Sequence, residues 1–188
     1  MKSEPSSGDL GRRGVLRSIL SKGAAFVGAI AAGAAGRSAT AAAAEPAAPA
    51  MLKNIGVCCS DLEKSLLFYT EVFGFKADPE PQKIGPQLSG LLEVENLDLT
   101  IHFLNKQGVR LELLKFNAGH HGDGQRHPIN TLGLSHLAFE VTNIKAMTEA
   151  VTHMGGHVIE STRLGSPDKT IAIFVTDPDG TRIELIAV

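Results

Sequence analysis

The 188-residue chain carries 18 Lys and Arg against 20 Asp and Glu, a formal net charge of −2 at pH 7, with no Trp and one Tyr. With no basic stripe and few aromatics, nothing in it suggests nucleic-acid binding. The length allows a single domain with a real core once an N-terminal extension is set aside.

That extension is residues 1–44. Gly11-Arg12-Arg13-Gly14-Val15-Leu16-Arg17 is a twin-arginine segment, and a mildly apolar Ala/Gly run continues from Ala24 to Ala35. Ala39-Thr40-Ala41 offers a small-x-small cleavage site. The pattern predicts an export signal of the twin-arginine kind, hence a periplasmic or secreted mature protein. The run is too short and too rich in Gly and Ala for a transmembrane helix, so no membrane anchor is expected in the mature form. Because Arg12, Arg13, Arg17 and Lys22 lie here, the remainder is more acidic than the whole.

Pro46 to Ala50 reads as a linker. Leu52–Cys59 reads as a strand with Ile55 and Val57 on one face and Asn54, Gly56 and Cys58 on the other. Adjacent cysteines cannot staple a loop, and Cys58 and Cys59 are expected as small buried residues. Ser60-Asp61-Leu62-Glu63 has the capping-box pattern. Leu62, Leu66, Tyr69 and Phe73 then recur on one helical face, ended by Gly74. A second strand starts at Phe75, and Pro79, Pro81, Gly85 and Pro86 interrupt regular structure beyond it. A short helical turn is expected over Leu88–Leu92. Leu97–Leu104 alternates, which predicts Leu99, Ile101 and Phe103 on the apolar face, with Thr100 and His102 on the polar one. Gly108 marks a turn before the strand Val109–Phe116.

Residues 118–132 form a polar, glycine-rich connection. Its Gly119-His120-His121-Gly122-Asp123-Gly124-Gln125-Arg126-His127 stretch reads as a solvated linker, with a flap over a cleft as the alternative. Leu134–Val141 is again a strand. Asn143 caps a helix with Ile144, Met147, Val151 and Met154 inward, and Gly155-Gly156 ends it. His153 and His157 are expected on the surface. Val158–Ser161 and Thr170–Val175 are strands, Asp177-Pro178-Asp179-Gly180 is a turn, and Thr181–Val188 is the last strand.

The chain therefore repeats itself. Asn54-Ile55-Gly56-Val57 aligns with His136-Leu137-Ala138-Phe139 at an offset of 82 (54 to 136), and Arg110-Leu111-Glu112-Leu113 aligns with Arg182-Ile183-Glu184-Leu185 at 72 (110 to 182). The prediction is an α+β domain, residues 51–188, of two βαβββ modules, 51–117 and 133–188, paired into a sheet-lined cleft.

Taken together, Ser60-Asp61-Leu62-Glu63-Lys64-Ser65, Phe68-Tyr69, Phe73-Gly74-Phe75, Ser135-His136-Leu137-Ala138-Phe139 and Asp177-Pro178-Asp179-Gly180-Thr181-Arg182-Ile183-Glu184-Leu185 resemble the vicinal oxygen chelate (glyoxalase, bleomycin-resistance, extradiol dioxygenase) superfamily. The resemblance implies a divalent metal held by the first and last strands of each module: Asn54, Glu112, His136 and Glu184 here. Asn54 departs from the usual His or Gln. One imidazole and two carboxylates favour Mn²⁺, Ni²⁺, Co²⁺, Mg²⁺ or Fe²⁺ over Zn²⁺ and argue against dioxygenase chemistry, which needs two His and one carboxylate. The implied activity is that of a metal-dependent lyase or isomerase on a small substrate with neighbouring oxygens, with Glu184 or Glu112 as base and His102 and Glu140 as substrate contacts. The alternative is a non-catalytic protein of the bleomycin-resistance type, which sequesters a small molecule and needs no metal. Pairing of modules between two chains would make a homodimer.

Overall fold

The computed structural model describes residues 50–118 and 127–188, which fall in the unit Pro49–Val188. The expected export signal, most of the first linker and the stretch Gly119–Arg126 lie outside the described residues. Module 1 runs β1 (Ile55–Cys58), α1 (Leu62–Leu67) continued by a π turn (Phe68–Val72), β2 (Lys76–Ala77), β3 (Gln82–Ile84), α2 (Ser89–Leu92), β4 (Leu99–Lys106) and β5 (Val109–Phe116). Module 2 runs β6 (Leu137–Val141), α3 (Ile144–His153), β7 (His157–Val158), β8 (Leu164–Ser166), β9 (Lys169–Thr176) and β10 (Arg182–Ala187). The sheets are ordered β1-β5-β4-β2, with β3 on β4, and β6-β10-β9-β7, with β8 on β9. In each module the first strand lies parallel to the last, so the chain is the expected α+β pair of modules, each with one short strand more than the βαβββ pattern.

Caps set the helix starts. Asp61, one residue later than the capping-box pattern suggests, accepts from Lys64 N at 3.1 Å, and Asn143 accepts from Ala146 N at 3.0 Å. Gly74 and Gly155, with φ of 68° and 83°, end the helical segments in the left-handed conformation that favours glycine.

One core joins both modules. Val57, Leu104, Leu111 and Leu113 from the first sheet and Ile173, Val175, Ile183 and Leu185 from the second belong to a single buried cluster with both helices. Phe73 stacks on Phe139 at 4.3 Å between ring centroids, across the module boundary. Polar contacts reinforce it: Tyr69 donates to Asp177 Oδ2 at 2.9 Å, and Ser60 N and Ser65 Oγ donate to Asp179 Oδ2 at 3.1 and 3.3 Å. The Asp177–Gly180 turn is thus a fastening between modules as well as a hairpin.

Three expectations are corrected. The short strands β3 and β8 add to the expected set. Cys58 is exposed on the Asn54 face of β1, whereas Cys59 is buried as expected. His102 lies opposite Leu113, on the shared-core face, and Phe103 lies opposite Glu112. The reason is a second apolar patch: Ile84, Leu97, Leu99 and Ile101 are each at most 4% exposed but lie outside the shared core. Both faces of β4 are therefore covered there, and alternation alone does not say which is which.

Candidate functional site

Strand parity places the candidate ligands. Asn54 and Glu112 alternate with the core residues Ile55, Leu111 and Leu113, and Glu184 alternates with Ile183 and Leu185. All therefore lie on the face of their own sheet opposite the common core. Asn54 Nδ2 donates to Glu112 Oε2 at 2.5 Å. In module 2, His136 Nε2 faces Glu184 Oε2 at 3.3 Å, and Ser135 Oγ lies 2.9 Å from the other ring nitrogen. The duplication has produced two equivalent pairs, each built from a first-strand polar residue and a last-strand glutamate.

Each pair has an aromatic floor and a guanidinium that the sequence reading missed. Phe103 lies opposite Glu112 and Phe174 opposite Glu184 in the strand register. Arg110 sits 4.1 Å over the Phe103 ring, and Arg182 sits 5.5 Å over the Phe174 ring. Arg110 also pairs with Asp78 at 2.7 Å, while Arg182 donates to the His127 carbonyl at 2.9 Å. A signal for Phe103 was available. The two-residue turn Gln107-Gly108 fixes the hairpin register, and counting back from it sets Phe103 against Glu112.

Burial pushes the Glu112 carboxyl above its ordinary range, partly offset by the Asn54 hydrogen bond and by Arg110. A raised folded-state value means the stabilised form is the protonated one. Its contribution is complete below the unfolded-state value and is lost as pH rises through the folded one. Glu112→Gln keeps an acceptor for Asn54 and removes the charge. It should raise the thermal midpoint at pH 7 and show no gain below about pH 4, where the wild-type carboxyl is protonated in both states. Melts at both pH values check this.

Within one chain the four ligand candidates do not meet. Among the described residues no group of three or more His, Cys, Asp or Glu side chains is gathered closely enough to hold a metal ion. One pair offers a carboxylate and a single amide or imidazole, short of the three or four protein ligands of an ordinary site. Fit to a metal requires both pairs together. The two substrate candidates separate as well. His102 is 7% exposed, with Nε2 2.8 Å from the Asp78 carbonyl, which removes it from the Glu112 face. Glu140 is exposed on β6 and lines a cavity of about 570 Å³ at the seam between modules, as does His136. His153 and His157 are exposed.

The model of the Glyoxalase/Bleomycin resistance protein/Dioxygenase superfamily matches residues 51–185. A protein of Vibrio parahaemolyticus named probable lactoylglutathione lyase is 35% identical over 133 residues, 67% of this chain and 82% of that one. Lactoylglutathione lyase of Neisseria meningitidis is 29% identical over 126 residues, again 67% of this chain and 82% of that one. Among solved structures, a glyoxalase family protein from Bacillus cereus superposes with a TM-score of 0.60 at 18% identity, over 72% of this chain and 92% of that one. Residues 51–185 account for nearly all of the two-module unit, and on that match the chain belongs to the glyoxalase/bleomycin resistance protein/dioxygenase superfamily.

Proposed function

We propose that this chain is a metal-dependent lyase or isomerase acting on a small molecule with two neighbouring oxygens, and that its complete site forms between two copies. The carrying observation is the pair of equivalent half-sites, Asn54–Glu112 and His136–Glu184, each on a sheet face turned from the common core. Facing one another across a two-fold axis, they supply one imidazole, two carboxylates and an amide oxygen, a set suited to Mn²⁺, Ni²⁺, Co²⁺, Mg²⁺ or Fe²⁺. Such an ion supplies Lewis-acid polarisation of the substrate oxygens. Glu112, held by the Asn54 amide on the sheet face turned from the core, is the carboxylate of its half and suits the role of base. Glu184 is the equivalent carboxylate in the other half, and His136 fixes it by the 3.3 Å contact.

The second reading is a metal-free binding protein. It is favoured by one observation: Asn54 donates to Glu112, so that carboxylate already has a hydrogen-bonding partner. Metal analysis of natively purified protein separates the two. A stoichiometric transition metal supports the enzyme; protein without metal that also fails to take up Mn²⁺ or Ni²⁺ supports the binder.

We also propose twin-arginine export, on the strength of Arg12-Arg13 and the Ala/Gly run beyond it. Arg12→Lys with Arg13→Lys should leave nearly all precursor in the cytoplasm of the producing cell. Fractionation and blotting would show it, and wild-type export of the double variant would remove the assignment.

A further inference from the structure

The His136 ring is met by three side chains. Ser135 Oγ lies 2.9 Å from Nδ1, and Glu184 Oε2 lies 3.3 Å from Nε2. Phe174 meets the ring edge-to-face, at 5.3 Å between centroids and 88° between planes. The Nε2 contact is longer than an ordinary N–H···O hydrogen bond, so Ser135 is the tighter of the two polar holds on the ring. Module 1 has no such hydroxyl. The offset of 82 sets Lys53 at the place of Ser135 (53 to 135), before an Asn54 whose amide has no tautomer to fix.

The Ser135 contact depends on the backbone. Along a strand consecutive side chains point to opposite faces, so neighbours in sequence do not meet. Ser135 and His136 both precede β6, which starts at Leu137, and follow Gly133 with its φ of 115°. Strand geometry has not yet begun there, and the two side chains come together.

A hydroxyl both donates and accepts, whereas a carbonyl only accepts and a backbone N–H only donates. The neutral ring carries one N–H. With that proton on Nε2, facing the carboxylate of Glu184, Ser135 O–H donates to Nδ1. For Nε2 to ligate a cation, the ring gives this proton to water and takes one from water at Nδ1. Nδ1–H then donates to Ser135 Oγ. The charge of the ring is unchanged, and only the hydroxyl has to turn.

We infer that Ser135 is the positioning residue of His136: its hydroxyl holds Nδ1 in either tautomer, so that Nε2 stays aimed at Glu184 with or without a cation between them. The cation-bound half of this rests on the proposed function; the hold on the metal-free ring does not.

The test uses the full chain, wild type beside Ser135→Ala and Ser135→Thr, and circular dichroism confirms that each is folded. Ser135 is exposed, so neither change disturbs the core. Long-range ¹H–¹⁵N spectra of the metal-free protein, at a pH where the ring shifts no longer change, report the tautomer; His136→Gln assigns the signals. The wild-type proton should be on Nε2. The ring protons should carry a ring-current shift from Phe174, identified by its loss in Phe174→Leu. Ser135→Thr should keep that shift, and Ser135→Ala should lose most of it. In equilibrium dialysis, Ser135→Ala should weaken Mn²⁺ uptake by about tenfold or more, while Ser135→Thr stays within about threefold of wild type. With Zn²⁺ as a diamagnetic probe, the wild-type proton should move to Nδ1. The inference is overturned by a metal-free ring protonated on Nδ1, by a Ser135→Ala protein that keeps both the ring-current shift and the wild-type uptake, or by Ser135→Thr failing as Ser135→Ala does. A wild type that takes up no metal, with the metal-free results as expected, removes the proposed enzyme and leaves the hold on the ring standing. Wild-type uptake that Ser135→Ala shares in full removes the positioning role and leaves the proposed enzyme standing.

Discussion

Gly156→Ala should destabilise the domain by about 3 kcal/mol or more, because the added methyl has nowhere to go. An ideal Cβ there would lie 2.3 Å from the Thr176 carbonyl oxygen, 2.8 Å from Val151 Cγ1 and 2.9 Å from Phe68 Cε2. The first is backbone of β9, the second is helix α3, and the third is an aromatic ring of module 1. Relief of any one clash moves another element of the common core, including the contact between modules. Gly155, its neighbour, is the control. Its added carbon would meet only the end of the Lys64 side chain, at 3.0 Å, so the cost of Gly155→Ala is mainly that of a φ of 83°, about 1 kcal/mol. Urea titration of both variants gives the comparison. A Gly156→Ala protein within 1 kcal/mol of wild type would show that the modules are not packed as described, on the scale of ordinary overpacking costs.

Asp177→Ala should be comparably damaging for an electrostatic reason. Asp177 is fully buried and accepts from Tyr69 OH at 2.9 Å, Asp179 N at 3.0 Å and Thr181 N at 2.7 Å. Truncation strands three donors, at about 1–3 kcal/mol for each left without a partner. It also releases the fastening between the first helical segment and the last hairpin. Asp177→Asn should be much milder, since its amide oxygen still receives the turn N–H groups. The pH dependence separates the charge from the hydrogen bonds. Burial pushes the Asp177 carboxyl up, against the opposing pull of its hydrogen bonds from Tyr69 and Thr181. With the folded-state value raised, wild-type stability is favoured below the ordinary Asp value near 3.8 and declines as pH rises through the folded-state one. Asp177→Asn lacks that decline. A wild type whose stability instead climbs relative to Asp177→Asn over the same interval would contradict the assignment.

Much of the fold is legible because the chain states it twice. The offsets from Asn54 to His136 and from Glu112 to Glu184 place equivalent strands, and the structure pairs each first strand in parallel with its last. Helix caps and the Asp177–Gly180 turn arise from local chemistry that tertiary contacts do not override. The face of β4 is ambiguous in the sequence for a physical reason. Leu99 and Ile101 are buried in their own patch, so the apolar stripe does not mark the main core, and His102 and Phe103 exchange their expected places. The short strands β3 and β8 carry too few residues for a period to register, and β8 contains Gly165 at a φ of 96°. The separation of the four ligand candidates into two pairs is beyond the sequence. Parity says which face a residue takes, but packing decides that each sheet turns its other face to the common core.

The claim that matters most is that a complete site draws Asn54 and Glu112 from one chain and His136 and Glu184 from another. It is tested by complementation. Glu112→Ala and His136→Ala proteins are prepared separately, then unfolded and refolded together, and Mn²⁺ uptake is measured by equilibrium dialysis. Each variant alone should bind no Mn²⁺ tightly, since both of its sites lack a ligand. A mixed dimer should regain one intact site, giving about a quarter of the wild-type capacity after random mixing. A mixture as empty as its parents, beside a wild type that binds Mn²⁺ as a monomer, would contradict the account.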